Sequence, residues 1–149
     1  ERHGKNGNIG YGFLTGSCLK KGTVATTYFH DHHNLFVAGS CPDDMLLAVN
    51  RIRELQGGFL TAKDGRILSE LALPVCGILS EKSIRENGLA LKAVRKSLTD
   101  LGYVHNNPIM SVGTLGLPVS PALKLTDKGL VDVKKGEIVP LLVNTKKNK

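Results

Sequence analysis

Residues 28–34 read YFHDHHN and place three of the chain's five histidines beside an aspartate. Imidazole and carboxylate groups bind zinc and related metals, and they can also transfer protons. On a β-strand, the His30-x-His32 spacing would put two imidazoles on the same side. A hydrolytic metal centre needs about three protein ligands or more, so these two histidines would require partners from elsewhere in the chain. The cluster is therefore a candidate site whose chemistry depends on its surroundings.

The residues alone leave three interpretations of this cluster open. In the first, the cluster is a hydrogen-bonded β-corner in which Asp31 and Asn34 bind backbone N–H groups. In the second, it belongs to the active site or interface of a larger enzyme. In the third, it binds a metal by itself. A second polar triplet, Glu1, Arg2 and His3, opens the chain. Because the first residue is a glutamate and not a methionine, we expect the chain to be a fragment or a processed piece of a longer protein.

The segments around the cluster predict two strands followed by a helix. Residues 23–29 (TVATTYF) and 34–40 (NLFVAGS) are rich in β-branched and aromatic types, and the histidine cluster joins them. Pro42, followed by two aspartates, suits the first turn of a helix because acids are stabilised at the positive end of the helix dipole. Apolar residues then recur at a three-to-four spacing until Gly57-Gly58 ends the run.

The second half of the chain predicts a hairpin, a second helix and further strands. Asp64-Gly65 is a dipeptide that accommodates the positive φ angles of a tight hairpin turn. A second helix is expected to begin near Ser80, where Ser83 and Glu86 also have the spacing of a capping box, and to end at Gly102. The remaining predicted features are a turn at 127–129 and a last strand at 137–143.

The order of these elements indicates an α+β fold: a mixed, largely antiparallel sheet with two main helices packed on it, both against one face. At 149 residues the chain is of single-domain size, and its hydrophobic (41%) and charged (22%) fractions are ordinary for a globular protein. No apolar run approaches the roughly 20 residues that span a bilayer, and no secretory signal is visible. We therefore expect a soluble, cytoplasmic protein.

The formal net charge of +7 does not by itself indicate a nucleic-acid partner. Three of the lysines lie in the terminal segment 146–149, and no RNP-like aromatic motif or arginine-lined helix accompanies them. The cysteines are odd in number and form no CxxC pair, which argues against a disulfide framework and a thiolate zinc site. We expect small buried hydrophobic roles for Cys18, Cys41 and Cys76.

Five blocks of the sequence carry a resemblance to a known family. They are ERHGKNGNIGYGF (1–13), LKKGTVATTYFHDHHN (19–34), DDMLLAVNRI (43–52), GGFLTAKDGRILSELALPVCGIL (57–79) and LPVSPALKLTDKGLVDV (117–133). In this order, and over nearly the whole chain, they resemble the C-terminal domain of bacterial and archaeal adenine deaminases. The resemblance implies that residues 1–145 form this domain and that residues 146–149 are a basic disordered tail.

This resemblance implies a role in purine metabolism. Full-length members are hydrolases that convert adenine to hypoxanthine and ammonia, in an upstream amidohydrolase-type barrel with a two-metal centre of manganese or iron. The chain alone is then expected to hold no cofactor and to be inactive. Its expected partners are its own N-terminal barrel domain, adenine as substrate of the full-length enzyme, and further copies in a homo-oligomer, with no nucleic acid and no membrane. The alternative is a structural or oligomerisation module without a direct catalytic role.

The resemblance also changes the interpretation of the histidine cluster. The family pattern is H-D-S-H-N, so the HxH spacing exists only through His32, which stands where the family has serine. A second departure is the stretch 109–116, IMSVGTLG, where an aromatic residue of the family is missing. No metal ligand or confirmed catalytic residue is then expected in the chain. The residues expected at the rim of the active site or at the domain interface are Glu1, Arg2, His3, His30, Asp31, His33 and Asn34.

Overall fold

The strands of the chain form two antiparallel sheets, and helices separate the groups of strands along the sequence. The computed structural model describes residues 1–16 and 18–143, so the predicted tail at 146–149 lies outside the described residues. The elements are β1 (Thr23–Thr26), β2 (Phe36–Gly39), α1 (Pro42–Glu54), β3 (Gly58–Lys63), β4 (Arg66–Ala72), α2 (Ile84–Asp100), α3 (Pro108–Gly113), β5 (Leu123–Thr126), β6 (Gly129–Asp132) and β7 (Glu137–Val139). The first sheet has the order β2-β1-β3-β4 and the second the order β5-β6-β7. The predicted α+β fold class is confirmed.

The two main helices cover opposite faces of the first sheet, which corrects the expectation that both lie on one face. Val24 of β1 belongs to the core cluster that contains Val94 of α2, whereas the next residue, Ala25, belongs to the cluster that contains Ala48 of α1. Successive residues of a strand point to opposite faces, so each helix lies on its own side. The physical reason is that β1 is buried along its whole length, and both of its faces need apolar cover.

Strong local signals placed the element boundaries well. Asp64 and Gly65 have φ angles of 53° and 72° in the turn between β3 and β4, as the hairpin prediction requires. Helix α2 begins after Ser83 and not near Ser80 as expected, because Ser83 caps it and Glu86 completes the capping box by accepting from the Ser83 amide. The last strand is shorter than predicted and ends at Val139, because the following proline cannot donate to a ladder. Within the described residues, none of the helices is both long and apolar enough to cross a bilayer.

Helix α3 was not predicted, and it lies beside the histidine cluster. Asn107 accepts a hydrogen bond from the Met110 amide, and a proline occupies the first turn. Gly10 and Gly12 of the glycine-rich first segment lie beside the hairpin formed by β5 and β6. A side chain at Gly10 would approach the Thr126 carbonyl oxygen to 1.8 Å, so only glycine permits this contact. At Gly12 an added side chain would meet the side chains of Leu125 and Leu130, so this segment lies against both backbone and apolar side chains of the second sheet.

Candidate functional site: a corner of three histidines

The corner, residues 28–34, joins β1 to β2 and is anchored in the hydrophobic core. Phe29 is buried and stacks on Phe36, with ring centroids 4.5 Å apart. Within the corner, the His33 amide donates to the Phe29 carbonyl at 2.7 Å. The His30 amide donates at 2.8 Å to the carbonyl of Gly113 in α3. The backbone of the corner is thus attached to the sheet, to itself and to α3.

The three imidazoles of the corner do not form one group. The rings of His30 and His33 lie 5.3 Å apart, and Tyr28 packs on both. His32 instead packs on Phe29 at 5.3 Å, and its Nδ1 accepts from the Asn34 amide at 3.2 Å. In residues 1–16 and 18–143, no three His, Cys, Asp or Glu side chains are placed to hold a metal ion. The pair that the structure brings together is His30 with His33 and not the HxH pair.

The N-terminal residues are attached to the corner by Arg2 and His3. The Arg2 guanidinium donates through Nε to the His33 carbonyl, and the Arg2 amide donates to Asn34 Oδ1 at 3.3 Å. His3 Nε2 donates to the His32 carbonyl at 2.9 Å. Two of the three N-terminal candidates therefore contact the corner.

The two carboxylates among the predicted site residues lie differently. Glu1 accepts hydrogen bonds from the backbone amides of His3, Lys5, Asn6 and Gly7. Its carboxylate therefore stabilises the turn of its own segment and does not reach the corner. Asp31 is exposed at the tip of the corner. Neither carboxylate supplies a ligand to the imidazole pair.

Two further residues belong to this site and were missed from the sequence. The Arg2 guanidinium also donates through Nη2 to the Cys76 carbonyl at 2.7 Å, and Cys76 is followed by Gly77 in the turn 75–78. Both have positive φ angles, 55° and 76°. The available signal was the glycine in PVCG, which marks a turn. Nothing in the local sequence links that turn to a residue 74 positions earlier.

Burial favours the neutral forms of two corner histidines, His32 and His33. Desolvation lowers the pKa of both His32 and His33 below the usual value. His33 Nδ1 and His32 Nε2 are buried atoms without a hydrogen-bond partner among the described residues. After burial, repulsion from His30 and, more weakly, from Arg2 also lowers the pKa of His33. The Thr27 carbonyl and the Asp31 carboxylate raise it.

The lowered pKa of His32 predicts a loss of stability on acidification. The folded state binds this proton less readily than the unfolded chain, whose histidine pKa is about 6.5. The contribution of neutral His32 is therefore complete above that pH and is lost as the pH falls toward the lower folded pKa. His32→Ser, which installs the serine that the resemblance implies at this position, should reduce the drop in melting temperature between pH 7.5 and pH 5.0. His105→Ser, at an exposed position, is the matched control and should retain the full drop; equal drops in all three proteins would contradict the prediction.

The described geometry defines an α+β domain that presents two neighbouring imidazoles on an anchored corner, without a metal-ligand set among its described residues. The model of the adenine deaminase C-terminal domain matches residues 1–137, and the chain belongs to this family. The resemblance that the sequence predicted is thereby confirmed.

Curated relatives agree with this family over almost the whole chain. An adenine deaminase of Clostridium perfringens (strain 13) is 51% identical over 141 residues, which cover 95% of this chain and 25% of the relative. An adenine deaminase 2 of Shouchella clausii is 51% identical over 146 residues, covering 98% and 26%. An adenine deaminase of Brucella abortus (strain 2308) is 45% identical over 139 residues, covering 93% and 24%. The chain thus spans about a quarter of the length of these relatives.

Proposed function

We propose that this chain is the C-terminal domain of an adenine deaminase that hydrolyses adenine to hypoxanthine and ammonia. The observation that carries this proposal is the family match over residues 1–137, together with relatives named adenine deaminase that are about half identical to the chain. The corner lies at the rim of the active site or at the interface with the catalytic domain. There His33 supplies an imidazole whose Nδ1 has no hydrogen-bond partner among residues 1–16 and 18–143.

The chemistry of His33 supports a place near the substrate. A neutral imidazole can accept or donate a hydrogen bond and can transfer a proton near pH 7. In most folded proteins a buried imidazole nitrogen has a hydrogen-bond partner. The Nδ1 of His33 is buried and has no such partner among the described residues. A substrate or a residue of the catalytic domain would complete it.

The described residues of this chain do not fit a two-metal centre, because no three potential ligand side chains converge among them. The manganese or iron expected from the resemblance therefore belongs, in this proposal, to the remainder of the full-length enzyme. The isolated chain should be inactive. Adenine as substrate, an N-terminal barrel domain as intramolecular partner, a homo-oligomeric assembly and a cytoplasmic location are parts of the same proposal. They are supported by the family relationship.

The test is the substitution His33→Ala in a full-length adenine deaminase that carries this domain. Turnover of adenine should fall by about tenfold or more, because loss of a group that transfers a proton or orients the substrate acts on the chemical step. His105→Ala, which changes an exposed histidine, should leave turnover unchanged. Melting curves of both variants separate a catalytic loss from unfolding. Normal turnover by a stable His33→Ala enzyme would remove the proposed role of the corner.

A second candidate function, a structural or oligomerisation module, is favoured by one feature of the N-terminal segment. Ile9, Tyr11 and Phe13 are 68%, 66% and 76% exposed, and neighbouring exposed apolar side chains are typical of contact surfaces. In this alternative the corner serves only the fold. His33→Ala would then lower the melting temperature and leave turnover intact, so the same experiment separates the two functions.

A further inference from the structure

The Arg2 guanidinium lies between two backbone segments, the corner and the 75–78 turn, and neither neutralises its positive charge. Its guanidinium donates to the carbonyl groups of His33 and Cys76, and both acceptors are uncharged. No ion pair among residues 1–16 and 18–143 includes Arg2. An arginine fixed by two carbonyls presents a rigid planar group and retains its full positive charge.

The turn that receives Arg2 is itself attached to the central sheet. Thr27, directly after β1, donates through Oγ1 to the Gly77 carbonyl at 2.6 Å. The same oxygen accepts from the Gly58 amide at 2.9 Å. Thr27 is buried, so these bonds are protected from water. The carbonyl of Cys76 is therefore held in a fixed position relative to the strand that leads into the corner.

Gly77 provides the space for the guanidinium. A side chain at this position would approach Arg2 Nη2 to 2.6 Å and the central guanidinium carbon to 2.8 Å. Alanine at position 77 would therefore displace the end of the Arg2 side chain while its charge remains in the protein. This gives a way to separate the position of the guanidinium from its charge.

We propose that Arg2 is a positioning residue that clamps the corner to the 75–78 turn and thereby fixes the His33 imidazole for the reaction. This role rests on the proposed function of the corner. The clamp holds the backbone carbonyl of His33 and so fixes the backbone from which the imidazole side chain extends. The positive charge of Arg2 acts on the ring through space. The ionisable and polar groups that face His33 are His30, Asp31, Tyr28, Arg2 and the Thr27 carbonyl.

Geometry and charge predict different results for three variants of the full-length enzyme. Arg2→Lys keeps the charge and loses the two-point hydrogen bonding, so kcat/KM for adenine should fall by about tenfold, mainly through kcat. Gly77→Ala should have the same effect. Arg2→Gln should lower kcat/KM to a similar extent and also move the acid limb of its pH profile to higher pH, because removing a repelling positive charge raises the pKa of His33. Arg85→Gln, at an exposed site on α2, is the matched control.

The outcomes separate this inference from the proposed function. If His33→Ala lowers turnover while Arg2→Lys, Arg2→Gln and Gly77→Ala retain wild-type kcat/KM, the clamp is wrong and the proposed function stands. If the three variants lower only the melting temperature, the positioning role is also wrong. If the acid limb shifts equally in Arg2→Lys and Arg2→Gln, the effect of the Arg2 charge on the His33 ring is wrong. If His33→Ala itself retains full turnover in a stable enzyme, the proposed role of the corner fails first.

Discussion

Replacing Phe29 with alanine should lower the free energy of unfolding by about 3–5 kcal/mol. The ring is only 3% exposed and stacks on Phe36 in the larger of the two core clusters. It also lies against the backbone of Gly116, where an added side chain would approach the ring to 2.2 Å. Truncation removes the buried apolar surface and leaves a cavity enclosed by the sheet and the 113–116 segment. Backbone on one side and a sheet on the other cannot collapse fully into that space.

Chemical denaturation of wild type and variant measures this loss, and Phe13→Ala is the matched control. Phe13 is 76% exposed, so the same truncation should change the stability of the chain by less than about 0.5 kcal/mol. Phe29→Leu should lie between wild type and Phe29→Ala, because it retains part of the apolar volume. A Phe29→Ala protein as stable as Phe13→Ala would show that the corner is not anchored in the core. Since Phe29 lies between Tyr28 and His30, such a result would also remove the rigid support of the imidazole pair.

The elements with a complete local signal could be predicted from the sequence. Pro42 with the acids after it, the turn at Asp64-Gly65 and the capping box of Ser83 and Glu86 each determine backbone conformation within a few residues. These signals lie at the observed boundaries because no distant partner is needed to choose between alternatives, although the start of α2 was expected near Ser80 and is at Ile84. The placement of both helices on one face was wrong because local patterns do not say which side of a doubly buried strand each helix covers.

The candidate site could be predicted only in part, for the same physical reason. The sequence located the corner, and the resemblance replaced the HxH pair by His30 and His33, which the structure places 5.3 Å apart. The contact between Arg2 and Cys76 joins residues 74 positions apart. It depends on where the first sheet brings the 75–78 turn, and no spacing or composition carries that information. Glu1, by contrast, was grouped with the corner by its neighbours in sequence, although its carboxylate serves its own turn.

Gly57→Ala should lower the free energy of unfolding by about 2–4 kcal/mol, because the obstacle at this position is backbone and cannot rotate away. Gly57 has a φ of 133°, and an added side chain would approach the Gly77 Cα to 2.4 Å and the Leu73 carbonyl oxygen to 2.8 Å. The two glycines thus let two backbone segments meet. Gly88→Ala is the matched control: Gly88 lies in α2 with nothing within 4 Å of an added side chain. There alanine should stabilise the protein by about 0.5–1 kcal/mol.

The effect of Gly57→Ala should extend beyond stability, because the backbone that it displaces also carries the Arg2 site. Moving Gly77 disturbs its hydrogen bond to Thr27 and the adjoining Cys76 carbonyl that accepts from Arg2. In a full-length enzyme assayed well below its melting temperature, kcat/KM for adenine should therefore fall with Gly57→Ala and stay at the wild-type level with Gly88→Ala. A Gly57→Ala enzyme that is destabilised and yet fully active would show that the 75–78 turn can shift without moving His33. In that case the corner alone, held by Phe29 and α3, would position the imidazole.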